Sequence, residues 1–264
     1  MSDTSLFGTR HIVFIVISAL LIVGLYFLSR KVKIEALSKI LLGIGLASET
    51  IKVFSYIVIS ENKEYVEGVT YGGVLPKTDL PFHLCSLQIF FILIAVISKN
   101  EKLKRFIFSF MMPSCLFGGI AAILIATSSA RTVWIILIQY FTYHIAIVVF
   151  ALRLISAKEM EWRAKDYLNC LIFLVGVIFF SVYINSILFD GVSKINFMYV
   201  VDPPQDGLPY LNKNNGWLSY IIRYLSLVLV GITATYSKAI ITSIIKASRD
   251  RKAKKKSSAE LIEK

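Results

Sequence analysis

Side chains capable of chemistry stand inside stretches otherwise built of Leu, Ile, Val and Phe. Glu49 and Lys52 are three residues apart, a spacing that puts them on one helical face within ion-pair reach. His83 opens the segment Pro81-Phe82-His83-Leu84-Cys85-Ser86, and Gln88 follows just over one turn later. Gln139, Tyr143 and His144 share a further apolar run, and Asn185 and Arg223 are lone polar residues in two more. An ionisable group at the bilayer centre costs about 2.5–3.5 kcal/mol on insertion scales, so such groups gather where they pair or meet a ligand. The chemistry on offer is acid–base work by His83 and His144, with Glu49–Lys52 as an orienting pair. Gln88, Gln139 and Asn185 would be hydrogen-bonding contacts, and Arg223 a contact for phosphate or carboxylate. Each has a structural alternative: an ion pair that merely neutralises itself, or a histidine that only bonds a neighbouring helix. Spread over five helices, they read together as the lining of a polar cavity opening toward the outer face or outer leaflet.

Cys85 is the candidate nucleophile in that lining. It stands two residues from His83, which puts the two on nearly opposite faces of a helix, so activation would need His144 from another helix. Ser86 is on the His83 face, but an unassisted serine inside a membrane usually bonds its own i−4 carbonyl. Two histidines and a shared carboxylate without ligand spacing do not make a metal site, and no metal or cofactor is expected. Cys85, Cys115 and Cys170 lie at different depths. Cys85 is toward the outer side and Cys170 toward the inner, so no disulfide framework is implied.

The elements that must position these groups are membrane spans. The chain has 264 residues, 56% of them hydrophobic, and the charged 17% are clustered rather than scattered; the mean hydropathy is +0.69. Apolar runs cover residues 11–28, 40–60, 80–98, 106–129, 132–152, 167–189 and 217–245. The fourth is interrupted by Pro113 and Gly118-Gly119. The first has its positive charges after it (Arg30, Lys31, Lys33), so it reads as a retained span rather than a signal peptide. Lys and Arg concentrate in every odd connection and in the tail. The even connections hold Glu61, Glu64, Glu67 and Asp79, then only Arg131, then Asp190, Asp202 and Asp206 against Lys194 and Lys213. Seven spans with the amino terminus outside and the carboxyl terminus in the cytoplasm satisfy this alternation. The fold class is therefore all-α: a polytopic bundle of about seven transmembrane helices over 1–245, with a basic cytoplasmic tail over 246–264.

The net charge of +12 follows from that topology and does not require nucleic acid. The partners expected are membrane lipids, with the tail on anionic inner-leaflet lipid. The Ile-, Lys- and Asn-heavy usage suggests a bacterial cytoplasmic membrane. Oligomeric state is not in the sequence, and no internal repeat of the transporter kind is visible. The loop over 190–215 holds Phe197, Met198 and Tyr199, suiting either an interfacial lid or a passive aromatic belt. By helix rise, His83 lies about 4–5 Å into its span and His144 about 18 Å into one running the same way. One ligand reaches both only if it is elongated, or if the third span is broken near Pro81.

Leu80-Pro81-Phe82-His83-Leu84-Cys85-Ser86 resembles the LP-x-H-x-C signature of YwaF-type bacterial integral membrane proteins, which group with eukaryotic transmembrane protein 164. Ser48-Glu49 with Lys52, the Gln139–His144 region, and Asn196-Phe197-Met198-Tyr199 before a proline-rich loop are similar to that family too. The resemblance covers most of the chain. It implies acyltransferases that place polyunsaturated acyl chains on ether phospholipids through a membrane cysteine and histidine. In that motif the cysteine directly precedes the histidine; here Phe82 holds that position and Cys85 follows. The function expected is lipid binding or lipid modification, with phospholipid acyl transfer its most specific form. The alternative is a small-solute transporter or solute-binding bundle.

Overall fold

The computed structural model describes residues 5–58, 63–66, 69–72, 75, 77–126, 134–189, 191, 195–204, 208 and 210–262. The helices are α1 (Thr9–Ser29), α2 (Ile34–Val58), α3 (Leu84–Ile97), α4 (Glu101–Leu124), α5 (Trp134–Ser156), α6 (Ala164–Leu188) and α7 (Gly216–Ile262). A small antiparallel hairpin, β1 (Lys63–Val66) with β2 (Val69–Gly72), joins α2 to α3. The chain is a helical bundle, as its composition requires. The loop charges Glu61, Glu67, Arg131, Asp190, Lys194 and Asp206 lie outside the described residues, as do the join between the fourth and fifth spans and the last two residues of the tail.

Among the described residues, five helices are long and apolar enough to cross a membrane: α1, α4, α5, α6 and the Gly216–Asp250 part of α7. The other two differ from the spans expected over 40–60 and 80–98. α2 has the length, but Glu35, Lys39, Glu49 and Lys52 break its apolar run. α3 has only 14 residues, or about 21 Å against a hydrocarbon core of about 30 Å. The expected span over 80–98 starts late because Pro81 has no N–H to give and biases the residue before it toward extended backbone. Residues 81–83 form a turn, and His83 is an extended cap with φ −69° and ψ 152°.

α4 and α5 form the centre: 56% and 61% of their most apolar windows are buried, against 11% in α1 and 17% in α6 and α7. The outer helices turn Leu20, Val175, Phe179 and Val230 outward, as a lipid-facing surface would. Gly119 permits the central contact. A Cβ there would sit 2.6 Å from Val148 Cγ2 and 3.3 Å from the His144 carbonyl oxygen, so α4 approaches α5 backbone to side chain.

Backbone groups that the helices leave open find partners, as burial away from water demands. Pro113 lies inside α4 without ending it. Its missing N–H releases the Ser109 carbonyl, and Tyr236 of α7 donates its hydroxyl to that oxygen at 2.8 Å. At the end of α4 the Ile123 carbonyl accepts from Nε2 of buried His11 at 2.9 Å, while Phe7 N–H donates to His11 Nδ1 at 3.0 Å. His11 thereby ties α1 to α4 with both ring nitrogens occupied. At the opposite end of the bundle Arg105 forms a forked pair with Asp166, at 2.8 and 2.6 Å. Asp166 also accepts the Arg163 N–H at 2.8 Å, closing the first turn of α6.

Candidate functional site: one cavity shared by both histidines

A cavity of about 290 Å³ opens among α2, α3, α4 and α5, with part of the loop before α7 over it. Glu49, Lys52, His83, Cys85, Gln88, Gln139 and His144 all line it, with Ser86, Ser114, Tyr140, Tyr143, Met198, Tyr199 and Tyr224. Gly118, Ala121, Ala122, Ile125, Ile136 and Ile147 give it an apolar side. Its lining is therefore mixed, with small and aliphatic groups beside polar ones.

The third span is broken near Pro81: α3 begins at Leu84 and His83 is its extended cap. Both histidines line the one cavity, His83 from the start of α3 and His144 from within α5.

Glu49 and Lys52 pair at 2.7 Å, and Ser86 donates to the other Glu49 oxygen at 2.7 Å. Ser86 therefore does not spend its proton on its own helix; the carboxylate of α2 takes it. Gln139 donates to Ser48, joining α5 to α2, and Tyr143 donates to the Cys85 carbonyl at 2.7 Å, joining α5 to α3. Gln88 donates its amide N–H to Ser114 at 2.9 Å. His144 Nδ1 lies 2.7 Å from the Tyr140 carbonyl oxygen. A carbonyl only accepts, so Nδ1 carries the hydrogen, and Nε2 is left buried with no partner. By the same argument His83 donates Nε2–H to the Thr78 carbonyl at 3.2 Å, and its ring packs against Phe197 and Tyr199 at 5.1 and 5.5 Å between centroids.

Two candidate residues take other positions. Asn185 and Arg223 do not line the cavity. Asn185 grips the loop like a second backbone: its Oδ1 accepts the Phe197 N–H at 2.7 Å and its Nδ2 donates to the Phe197 carbonyl at 3.1 Å. Ser181 donates to that same carbonyl at 2.8 Å. Arg223 donates to the Asn212 carbonyl at 2.5 Å and to its side-chain oxygen at 3.2 Å, which holds the return of the loop. Both are polar at membrane depth because each satisfies irregular backbone, not because each meets the cavity. The loop they secure is ordered around Asn196, whose side chain accepts from Val201 and Asp202 N–H at 3.1 Å each and donates to the Asp202 carbonyl at 2.8 Å. Met198 and Tyr199 sit there at positive φ, 56° and 54°, and both reach the cavity. Burial pushes the Tyr199 phenol up to about 12, so it remains protonated at neutral pH.

Sequence reasoning missed Ser48 as a partner, and Ser114 and Tyr140 altogether. Only Tyr140 carried a signal, standing four residues before His144. Of the three cysteines Cys85 alone is on the cavity wall, while Cys115 and Cys170 are buried away from it. Among the described residues no group of three metal-ligating side chains comes together.

The chain matches the TMEM164 family over residues 6–236 and belongs to it. It is a multi-pass integral membrane protein. No curated protein and no solved structure matches the chain.

Proposed function

We propose that this member of the TMEM164 family binds a membrane amphiphile in the cavity and modifies its polar group, with acyl transfer as the reaction. The observation that carries the proposal is the composition of the lining: a thiol (Cys85), two histidines and an ion pair share one cavity with aliphatic side chains, inside a bundle whose outer faces are apolar. An acyl chain fits the aliphatic side and its ester the polar side. Cys85 would attack the ester carbonyl of a donor lipid, its proton passing to His144 Nε2, and the donor would leave as the alcohol. An acceptor hydroxyl would then attack the thioester and regenerate the thiol. Phe82 at the position before His83 makes Cys85 the only thiol placed for this role. The YwaF-type bacterial branch, a cytoplasmic membrane location, an external amino terminus and a tail over 246–264 resting on anionic lipid belong to the same reading.

The experiment is intact-mass analysis of the purified chain after incubation with a phospholipid. A single acyl adduct on Cys85, removed by neutral hydroxylamine and absent from Cys85→Ala, is expected. No adduct, with full retention of acyl transfer by Cys85→Ala, would remove the cysteine mechanism. A second reading, a compact polar solute bound or carried by the bundle, is favoured by one observation: both histidines line a single cavity of about 290 Å³. Mass spectrometry of molecules extracted from the purified protein separates the two, since an acylated molecule supports the first and a small polar solute the second.

A further inference from the structure

The polar atoms on the cavity wall are not balanced between donors and acceptors. Ser114 spends its hydroxyl hydrogen on the Phe110 carbonyl at 2.7 Å, so toward Gln88 its oxygen can only accept. That fixes the Gln88 amide with its nitrogen on Ser114 and turns Oε1 away, buried and unpartnered. His144 reaches the same condition, since its hydrogen goes to the Tyr140 carbonyl and its Nε2 keeps a bare lone pair. Gln88 is 1% exposed and His144 3%, and both line the cavity. With no carboxylate hydrogen-bonded to it, buried His144 is a neutral imidazole. Elsewhere on the wall four hydroxyl hydrogens are already committed: Ser86 to Glu49, Tyr143 to the Cys85 carbonyl, Tyr140 to the Ala122 carbonyl and Tyr224 to the Met198 carbonyl. The Lys52 ammonium is on Glu49.

The end of the cavity lined by Gln88 and His144 therefore presents two lone pairs that no hydrogen of the protein meets. Water can meet such atoms, and a ligand that displaces it must supply the same donors or lose affinity. A phosphate or carboxylate would bring only further acceptors. We propose that the group bound between Gln88 and His144 is a hydrogen-bond donor, a hydroxyl or an ammonium carried by the amphiphile, and that this end of the cavity rejects anionic groups. The proposal rests on the amphiphile reading above and names the polar chemistry that reading leaves open. Gln88 is a specificity-determining residue, and Ser114 a positioning residue that acts through the orientation of its amide.

The test presents three probes with one dodecyl chain to the full-length protein in nanodiscs: 1-O-dodecylglycerol, dodecylamine and dodecyl phosphate. Each competes against tritiated 1-O-dodecylglycerol. The alcohol or the amine should bind at least about tenfold more tightly than the phosphate, the scale of one well-made hydrogen bond. The order of the first two identifies the donor as O–H or N–H. Gln88→Leu should narrow the gap to less than about threefold. Ser114→Ala should narrow it too while retaining Gln88, because the amide is then free to turn and offer N–H. A phosphate that binds as tightly as the others, or a gap that persists in both variants with the fold retained, overturns the proposal. If the variants do not fold, the wild-type ranking alone decides. Absence of saturable binding by every probe would instead overturn the amphiphile reading.

Discussion

Ser86 of α3 donates its hydroxyl hydrogen to Glu49 of α2 at 2.7 Å, across 37 positions of sequence. A serine expected to bond its own helix thus becomes the link between the segment at 80–86 and the charged pair at 49 and 52. Glu49 has both oxygens occupied, one by Ser86 and one by Lys52. That is how a carboxylate at membrane depth is tolerated.

Removing that carboxylate's charge is expected to leave Lys52 with a partner too weak for its burial. Glu49→Gln should destabilise the protein by about 1–3 kcal/mol, between the values for exposed and fully buried pairs, because both side chains keep some exposure, 22% and 15%. Glu49→Gln combined with Lys52→Met should recover most of that loss. Thermal unfolding of the purified variants checks this, and equal damage in the single and double variants would show that the two do not share an environment.

The Tyr236–Ser109 bond makes a second prediction, with its own rescue. Tyr236→Phe keeps the ring packed against Trp162 and Tyr167 but orphans the carbonyl that Pro113 released, at a cost of about 1–3 kcal/mol. Pro113→Ala restores an intrahelical N–H to Ser109, so the double variant Tyr236→Phe/Pro113→Ala should regain most of the stability. A double variant no more stable than Tyr236→Phe would mean that the carbonyl is not what Tyr236 serves.

Orientation gives a third prediction, resting on loop charge. In a background with Cys85, Cys115 and Cys170 replaced, a cysteine at Lys254 should resist impermeant thiol reagents in intact cells, while one at Asn214 should label. Labelling at 254 with protection at 214 would invert the topology.

The sequence by itself determined that the chain is a membrane bundle, because apolar runs long enough to span a bilayer have no soluble alternative. It also picked out seven residues of the cavity wall. Glu49, Lys52, His83, Cys85, Gln88, Gln139 and His144 were legible because polar side chains at membrane depth are costly and so are rarely idle. The same argument misplaced Asn185 and Arg223, since cost alone cannot tell a residue that meets a cavity from one that pays for irregular backbone, and Phe197 and Asn212 turned out to be their partners. Only the tertiary structure decided that α3 begins at Leu84, which leaves His83 as an extended cap on the cavity it shares with His144. Only the tertiary structure also decided which hydrogens are spent. The free acceptors on Gln88 and His144 follow from what Ser114 and Tyr140 do with their own bonds, and a bond between residues on different helices leaves no trace in the spacing of either one.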